Sequence, residues 1–79
     1  MHIQVKLYAT LRRYGPQLPR GAGLALEVAD GTLVRQVLQR LGIPDCVPLV
    51  SMINTRVCKL DDMLNEGDTL SLFPPVAGG

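Results

Sequence analysis

Residues 32–44, TLVRQVLQRLGIP, form the segment of the chain with the clearest helical period. The apolar residues of this segment fall on one stripe of a helix, formed by Leu33, Val34, Val37, Leu38 and Leu41, and polar residues occupy the opposite face. Thr32 is a candidate helix cap, Gly42 supplies a left-handed closing residue, and Pro44 prevents continuation. The segment therefore predicts one helix of about ten residues.

Segments predicted as strands lie on both sides of this helix. Residues 2–8, HIQVKLY, alternate polar and apolar side chains, which predicts a half-buried strand. The other predicted elements are a short helical segment at 9–14, strands at 24–28, 49–53, 56–58 and 69–73, a single helical turn at 60–64 and a tight turn at 65–68. This order predicts an α+β fold of two layers, in which a mixed sheet of four to five strands packs on one main α-helix.

Two of the predicted strands flank the dipeptide Asn54-Thr55, which predicts a hairpin turn. The favoured two-residue turn requires positive φ at both residues, so its second position prefers glycine. Thr55 at this position predicts a turn that is longer or strained.

Length and charge exclude several classes of protein. The 79 residues are enough for one small domain, and 47% of them are hydrophobic. Lys and Arg together number 8, and Asp and Glu together number 7. The resulting net charge of +1 does not indicate binding to nucleic acid or to an anionic membrane. The apolar runs are too short to span a bilayer, and residues 1–6 lack the pattern of a secretory signal. We expect a cytoplasmic, soluble chain.

Metal-binding and redox motifs are absent from the sequence. Cys46 and Cys58 fit neither the Cys-x-x-Cys spacing nor a zinc site, and His2 is the single histidine. We therefore expect no bound metal and two reduced thiols that are buried as small apolar side chains.

Catalytic groups are also few. Ser51 and Ser71 lie on predicted strands with no base nearby, so a nucleophilic triad lacks its parts. The clustered carboxylates are expected to be solvated turn residues; they are Asp61, Asp62, Glu66 and Asp68. No phosphate-binding loop is found, because Gly21 and Gly23 precede a strand, and the arginines lack aromatic partners that could stack bases.

The C-terminal segment, residues 73–79 with the sequence FPPVAGG, differs from the rest. Pro74 and Pro75 favour an extended exit, so residues 74–79 can reach about 20 Å at roughly 3.3 Å each. Gly78 and Gly79 carry no side chain, which admits the closest approach by another protein's active site. We therefore divide the chain into a folded domain at 1–73 and a flexible Gly-Gly tail at 74–79, although chain termini are often merely disordered.

The sequence resembles a known family at this tail and at two further places. The tail with its preceding residue reads LFPPVAGG at 72–79, residues 5–12 read VKLYATLR, and Leu60-Asp61 is followed by EGD at 66–68. These segments resemble the ubiquitin-like sulfur carriers of the MoaD/ThiS group, which includes the small subunit of molybdopterin synthase and the thiamine sulfur carriers. The tail is closest to the molybdopterin branch. The resemblance implies the β-grasp fold.

The resemblance also implies a carrier and co-substrate that is not itself an enzyme. In such families, a ubiquitin-activating-type adenylating enzyme uses ATP and Mg²⁺ to activate the terminal carboxylate, here that of Gly79. Gly78 has no side chain, which lets the carboxylate of Gly79 enter a narrow active site. A persulfide donor then supplies the sulfur of a thiocarboxylate. The acceptor is the large subunit of molybdopterin synthase or another sulfur acceptor enzyme. The chain itself would bind no cofactor.

Phe73 is the candidate anchor for a partner protein, since strand alternation directs its side chain outward beside the tail. If the Phe73 ring is exposed, replacing Phe73 with Ala should cost little stability. The alternative is that the ring folds over the edge of the sheet and is mostly covered. The partner-binding segment continues through Pro74, Pro75, Val76 and Ala77. Other functions stay open: sulfur carriage for thiamine or another thio-metabolite, protein modification through isopeptide bonds, and non-covalent binding by an adaptor. The net charge of +1 departs from the acidic character of many such carriers.

Overall fold

The computed structural model describes residues 1–15, 23–44 and 46–75. Its elements in chain order are β1 (His2–Leu7), a 3₁₀ helix (Ala9–Tyr14), β2 (Leu24–Glu27), α1 (Val34–Leu41), β3 (Val50–Ile53), β4 (Arg56–Cys58) and β5 (Thr69–Phe73). This order confirms the predicted succession of strands around one main helix. Most of the predicted loop at 17–23 lies outside the described residues.

The strands form one mixed sheet of five strands in the order β2-β1-β5-β3-β4. The central strands β1 and β5 are parallel, and Val5 lies opposite Leu70. The other pairs are antiparallel, and Ile53 of β3 also lies opposite Leu70. Because β5 is the middle strand, the chain that follows β5 leaves the sheet at the centre of one of its two ends.

The hydrophobic core lies between the sheet and α1. The outward-pointing residues of each strand alternate with residues that face this core, as the sequence pattern predicts. Leu70 and Leu72 of β5 are completely buried, which confirms their predicted inward position. Among the described residues, the buried apolar ones are Ile3, Val5, Leu11, Val34, Val37, Leu38, Ile43, Leu64, Leu70 and Leu72.

The start of α1 differs from the prediction. The hydroxyl of Thr32 donates to the carbonyl oxygen of Ala29 at 2.6 Å, so Thr32 closes the preceding turn instead of capping the helix. Leu33 occupies the N-cap position, and its N–H donates to Oε1 of Gln36 at 2.8 Å. The helix is therefore eight residues long, and Gly42 with φ of +81° ends it as predicted.

Residues 60–64 do not form the predicted helical turn. The N–H of Val34 donates to the carbonyl oxygen of Asp62 at 3.0 Å, and the N–H of Arg35 donates to that of Leu60 at 2.9 Å. The first N–H groups of a helix have no partner within the helix and must find one elsewhere. Residues 59–62 form a hydrogen-bonded turn instead, in which the N–H of Asp62 donates to the carbonyl oxygen of Lys59 at 3.1 Å. Its carbonyl groups at residues 60 and 62 supply the partners for the start of α1.

The hairpin turn between β3 and β4 is not lengthened. Ile53 pairs directly with Arg56, which leaves Asn54 and Thr55 as the turn residues. Asn54 has φ of +56°, a left-handed value that asparagine tolerates better than most residues. Its N–H donates to the carbonyl oxygen of Thr69 at 2.8 Å, and its Oδ1 accepts the N–H of Thr69 at 3.0 Å. Contacts with the start of β5 therefore support the positive φ.

Asp68 contradicts the prediction that the clustered carboxylates are solvated. It is buried; its Oδ1 accepts Nδ2 of Asn54 at 3.1 Å, and its Oδ2 accepts the N–H of Asn65 at 2.8 Å. A buried carboxylate requires such donors, and here they come from two separate turns. The remaining carboxylates of the group are exposed as predicted: Asp61, Asp62 and Glu66.

Candidate functional site

The tail begins at the middle of the sheet. Phe73 is the last residue of β5, and it lies opposite Val50 of β3. On the other side, the N–H of Tyr8 donates to the carbonyl oxygen of Leu72 at 3.1 Å, which extends the contact between the β1 and β5 segments. Pro74 and Pro75 follow at once; Pro74 is half buried and Pro75 is exposed. The exit of the tail is thus held on both sides by neighbouring chain segments.

Phe73 is neither freely exposed nor folded over the edge of the sheet. Its ring is stacked on that of Tyr8, with 4.4 Å between the ring centroids and 11° between the ring planes. Phe73 is half buried as a result. Alternation correctly predicted that it points away from the core. The contact with Tyr8 was not predicted, because it depends on the parallel pairing of β1 with β5, which brings together residues that are distant in sequence.

An apolar surface surrounds this aromatic pair on the sheet face that α1 does not cover. Val50 lies opposite Phe73, and Met52 of β3 lies opposite Val57 of β4. Val50 is 37% exposed, Val57 is 72% exposed, and Met52 is half buried. We name this surface the outer patch; its residues are Tyr8, Val50, Met52, Val57 and Phe73. An exposed apolar surface of this kind is typical of a protein interaction site.

Sequence reasoning had identified only Phe73 within the outer patch. A signal was present, because β3 and β4 carry apolar residues at all three outward positions, 50, 52 and 57. The face of a strand that is open to water is expected to be polar. The structure adds that these positions converge beside the tail.

The predicted site residues fall into two groups. Phe73, Pro74 and Pro75 lie together at the end of β5, beside the outer patch. The others lie outside the described residues; they are Val76, Ala77, Gly78 and Gly79. Their roles therefore stay predictions, as does the division of the chain at residue 73.

Other chemistry is sparse in the part of the chain that the structure describes. Residues 1–15, 23–44 and 46–75 contain no group of three His, Cys, Asp or Glu that could hold a metal ion. Both cysteines are free, but Cys46 is exposed, so the prediction of a buried thiol is wrong for it. Cys58 is half buried, with Sγ 3.3 Å from Oγ of Ser51. Within the same described ranges, no helix is both long enough and apolar enough to cross a membrane.

Arg13 is an exception to the prediction that the arginines lack aromatic partners. The guanidinium carbon of Arg13 lies 5.7 Å from the centroid of the Tyr14 ring. Such a cation–π contact orders an exposed arginine side chain. Because both residues belong to the same 3₁₀ helix, the contact is local and does not create a surface for stacking bases.

Comparison with known proteins identifies the family of this chain. Residues 5–79, which include both the outer patch and the tail, match the ThiS family. The chain belongs to the ThiS family. The resemblance predicted from the tail sequence and from residues 5–12 is thereby confirmed. No curated protein matches this ThiS-family chain significantly.

Solved structures agree with the ThiS-family assignment. The HVO 2177 protein from Haloferax volcanii is 27% identical, with a TM-score of 0.78 over 100% of this chain and 87% of that one. SAMP1 from Haloferax volcanii is 23% identical, with a TM-score of 0.73 over 100% of both chains. A chain from the complex of subunits 1 and 2 of molybdopterin-converting factor from Helicobacter pylori is 26% identical, with a TM-score of 0.60 over 100% of both chains.

These similarities confirm the predicted fold class. The mixed sheet with its single main helix is the β-grasp, ubiquitin-like arrangement shared with these structures. The chain is thus a small domain of the type found in sulfur carriers and ubiquitin-like modifiers.

Proposed function

We propose that this ThiS-family chain carries sulfur as a thiocarboxylate formed at the C-terminal carboxylate of Gly79. The observation that carries the proposal is the position of the tail, which leaves the central strand β5 beside the outer patch. A partner that covers the outer patch lies next to the exit of the tail. Such a partner can receive the last residues in its active site while it holds the folded domain by its apolar surface.

Activation of the carboxylate is assigned to a separate adenylating enzyme of the ubiquitin-activating type. That enzyme would use ATP with Mg²⁺, so that the carboxylate oxygen of Gly79 attacks the α-phosphorus and pyrophosphate leaves. The resulting acyl adenylate has AMP as a good leaving group. Gly78 and Gly79 suit this step because a backbone without Cβ fits a narrow active site. The nucleotide therefore belongs to the partner, and the chain acts as a co-substrate.

Sulfur enters in the following step. The outer sulfur of a persulfide donor attacks the carbonyl carbon of the adenylate, and AMP leaves. A second thiol then cleaves the sulfur–sulfur bond, which oxidises the two thiol sulfurs to a disulfide and frees the thiocarboxylate. A thiocarboxylate sulfur is a stronger nucleophile than the carboxylate oxygen that it replaces. It can therefore be passed to an acceptor in a separate enzyme.

We assign the carrier to molybdopterin biosynthesis, as the small subunit of molybdopterin synthase. The LFPPVAGG sequence at 72–79 supports this branch, as does the similarity to a chain of the Helicobacter pylori complex. In this assignment, the large subunit receives the tail and holds the pterin precursor that accepts the sulfur. The chain supplies the reactive sulfur and a docking surface, while the large subunit supplies the catalytic site.

The docking surface consists of the outer patch together with the root of the tail. Aromatic residues are enriched at the centres of protein interfaces, and the stacked Tyr8 and Phe73 rings present a rigid apolar surface. Val57 lies farther from the tail and extends this surface to the edge strand β4. Pro74 to Ala77 then form the segment that runs along the partner toward its active site.

Intact mass spectrometry tests the proposal. The chain is incubated with ATP, Mg²⁺, an adenylating enzyme from the same genome and a persulfide donor. We expect a mass increase equal to the replacement of one oxygen by sulfur, and we expect none when Gly79 is deleted. Isopeptide-linked conjugates without thiocarboxylate would show that the chain is a modifier. If deletion of Gly79 leaves the biological activity intact, the tail is incidental and the proposal is wrong.

A second experiment tests the branch. The thiocarboxylated chain is mixed with the large subunit of molybdopterin synthase and its pterin precursor, or with the sulfur acceptor enzyme of thiamine synthesis. We expect sulfur transfer only with the former, together with regeneration of the free carboxylate. Transfer only in the thiamine reaction would move the chain to the other branch while preserving its role as a carrier.

A further inference from the structure

The two edges of the sheet differ in how far they are covered. At one edge, Nη1 of Arg40 donates to the carbonyl oxygen of Glu27 at 2.5 Å, so a side chain of α1 lies across the outer side of β2. At the other edge, no strand within residues 1–15, 23–44 and 46–75 pairs with the outer side of β4. An uncovered edge strand offers N–H and C=O groups to a strand of another protein.

The register identifies the residue of β4 whose main-chain groups point outward. The N–H of Asn54 donates to the carbonyl oxygen of Thr69, on the β5 side, at 2.8 Å. Main-chain groups of successive strand residues point to alternate sides, so Ile53 faces β4 and bonds to Arg56. The N–H and C=O of Val57 therefore point away from β3. Among the described residues, none bonds to these two groups.

The open part of this edge is short. Beyond Val57, the next outward-pointing groups belong to Lys59, and both are bonded to Asp62. The N–H of Lys59 donates to Oδ2 of Asp62 at 2.8 Å, and its carbonyl oxygen accepts the N–H of Asp62 at 3.1 Å. Before β4, the chain forms the hairpin turn. A short edge of this kind limits aggregation while still leaving one residue for a partner.

A cavity of about 390 Å³ lies beside β4. Its apolar lining includes Leu38 of α1, Val47, Leu49 and Leu60. Leu60 is 38% exposed, so an apolar side chain is accessible at the cavity. Cys58, which is half buried, lines the cavity from β4. The cavity therefore has the size and lining to receive a large apolar side chain.

The cavity is continuous with the outer patch. Val50 and Val57 belong to both. Val50 also lies opposite Phe73, the last residue of β5, so the cavity is at the end of the sheet from which the tail leaves. A partner that receives the tail and covers the outer patch therefore also reaches the open edge of β4.

We propose that an extended segment of the adenylating partner adds to the outer edge of β4 as a further strand. The N–H and C=O of Val57 bond to the main chain of this segment, and an apolar side chain of the segment enters the cavity beside Cys58. Strand addition of this kind combines main-chain hydrogen bonds with pockets for alternate side chains. The inference rests on the proposed function and adds the conformation and chemistry of the partner segment, which is extended and apolar.

Strand alternation explains how one segment fills both places. Neighbouring residues of a strand direct their side chains to opposite faces of the sheet. The partner residue opposite Val57 therefore faces the same side as the outer patch, and the next residue faces the side of Cys58 and the cavity. Both positions of the partner segment are expected to be apolar, since the surfaces that they meet are apolar.

Amide hydrogen exchange tests whether the edge is open and whether the partner closes it. Exchange is followed by NMR in the free chain and in its complex with the adenylating enzyme without ATP. In the free chain, we expect the Val57 amide to exchange about tenfold or more faster than that of Cys58, which faces β3; in the complex, it should slow by a similar factor. A Val57 amide that stays fast in the complex would overturn the inference. Protection that rises with the concentration of the free chain would assign the edge to a second copy and also overturn it.

Two substitutions of Val57 separate main-chain pairing from side-chain contact. Val57→Pro removes the outward N–H and no bond to β3, and proline is tolerated at such positions of edge strands. Val57→Thr keeps both the N–H and the β-branched shape. Calorimetry should show that the proline variant binds the enzyme about tenfold more weakly than the threonine variant. Equal affinities would refute the pairing. If circular dichroism shows that the proline variant is unfolded, the exchange experiment on the unmodified chain decides.

A charge at the cavity tests the apolar side chain of the partner. Leu60→Asp should weaken binding about tenfold. The matched control is Ala25→Asp, which introduces the same charge at an exposed position of the opposite edge strand β2 and should leave the affinity unchanged. Equal affinities of Leu60→Asp and the unmodified chain would contradict the inference.

Binding without ATP separates failure of the inference from failure of the proposed function. If the thiocarboxylate forms normally while the Val57 amide stays unprotected in the complex, only the strand addition is refuted. If the Val57 amide is protected by the enzyme but Gly79 is never adenylated, the proposed function is refuted and the strand addition stands.

Discussion

The Tyr8–Phe73 stack predicts a measurable coupling between the two rings. The centroids are 4.4 Å apart and the planes differ by 11°. Aromatic pairs of this kind contribute about 0.5–1.5 kcal/mol beyond the area that they bury. The half-buried Phe73 ring adds about 1 kcal/mol through burial. Phe73→Ala should therefore lower the free energy of unfolding by about 2 kcal/mol, or the Tm by roughly 8–16 °C. This cost exceeds the small one expected of an exposed anchor.

A double-mutant cycle isolates the contribution of the stack. Tyr8→Ala, Phe73→Ala and the double variant are unfolded in urea and followed by circular dichroism. We expect a coupling of about 0.5–1.5 kcal/mol, with each single variant less stable than the unmodified chain. Val57→Ala is the matched control, since a 72% exposed side chain should change stability by less than about 0.5 kcal/mol. A coupling indistinguishable from zero would refute the structural role of the stack.

Three further predictions concern docking and stability. Val57→Asp places a charge in the outer patch. It should raise the KM for adenylation about tenfold or more with little change in Tm. Unchanged kinetics would exclude β4 from the interface. Asp68→Ala removes a buried carboxylate that accepts two part-buried hydrogen bonds, so urea unfolding should show a loss of about 1–3 kcal/mol, with a smaller loss in Asp68→Asn. A loss below that of exposed Asp62→Ala would contradict this. Ala9→Gly relieves a φ of +52° and should raise the Tm, whereas a lower Tm would show that Ala9 is unstrained.

The elements that sequence reasoning located correctly are those with a complete local pattern. The strand at β1 and the apolar stripe of α1 both show their periods over six or more residues, and Gly42 marks a conformation that other residues avoid. Thr32 was assigned wrongly because its hydroxyl closes the local turn with Ala29 instead of capping the helix. Residues 60–64 were assigned wrongly because their hydrogen-bond partners are decided by the packed structure. The start of α1 takes its partners from residues 60 and 62, more than twenty positions along the chain.

The candidate site shows the same division. The tail could be identified from the sequence because FPPVAGG is contiguous and its chemistry depends on residue type alone. The outer patch could not be found in this way, because Tyr8, Val50, Val57 and Phe73 come from separate segments. Their proximity depends on the parallel pairing of β1 with β5 and on the register of β3 against its two neighbours.

The sequence by itself determined the helix, the five strands and their succession along the chain, because each depends on side chains a few positions apart. It also determined the family, through a tail whose residues are consecutive. Only the tertiary structure decided which strand lies in the middle of the sheet and which side chains surround the tail. Strand order and register are fixed by burying one continuous core, and that requirement acts on the whole chain at once.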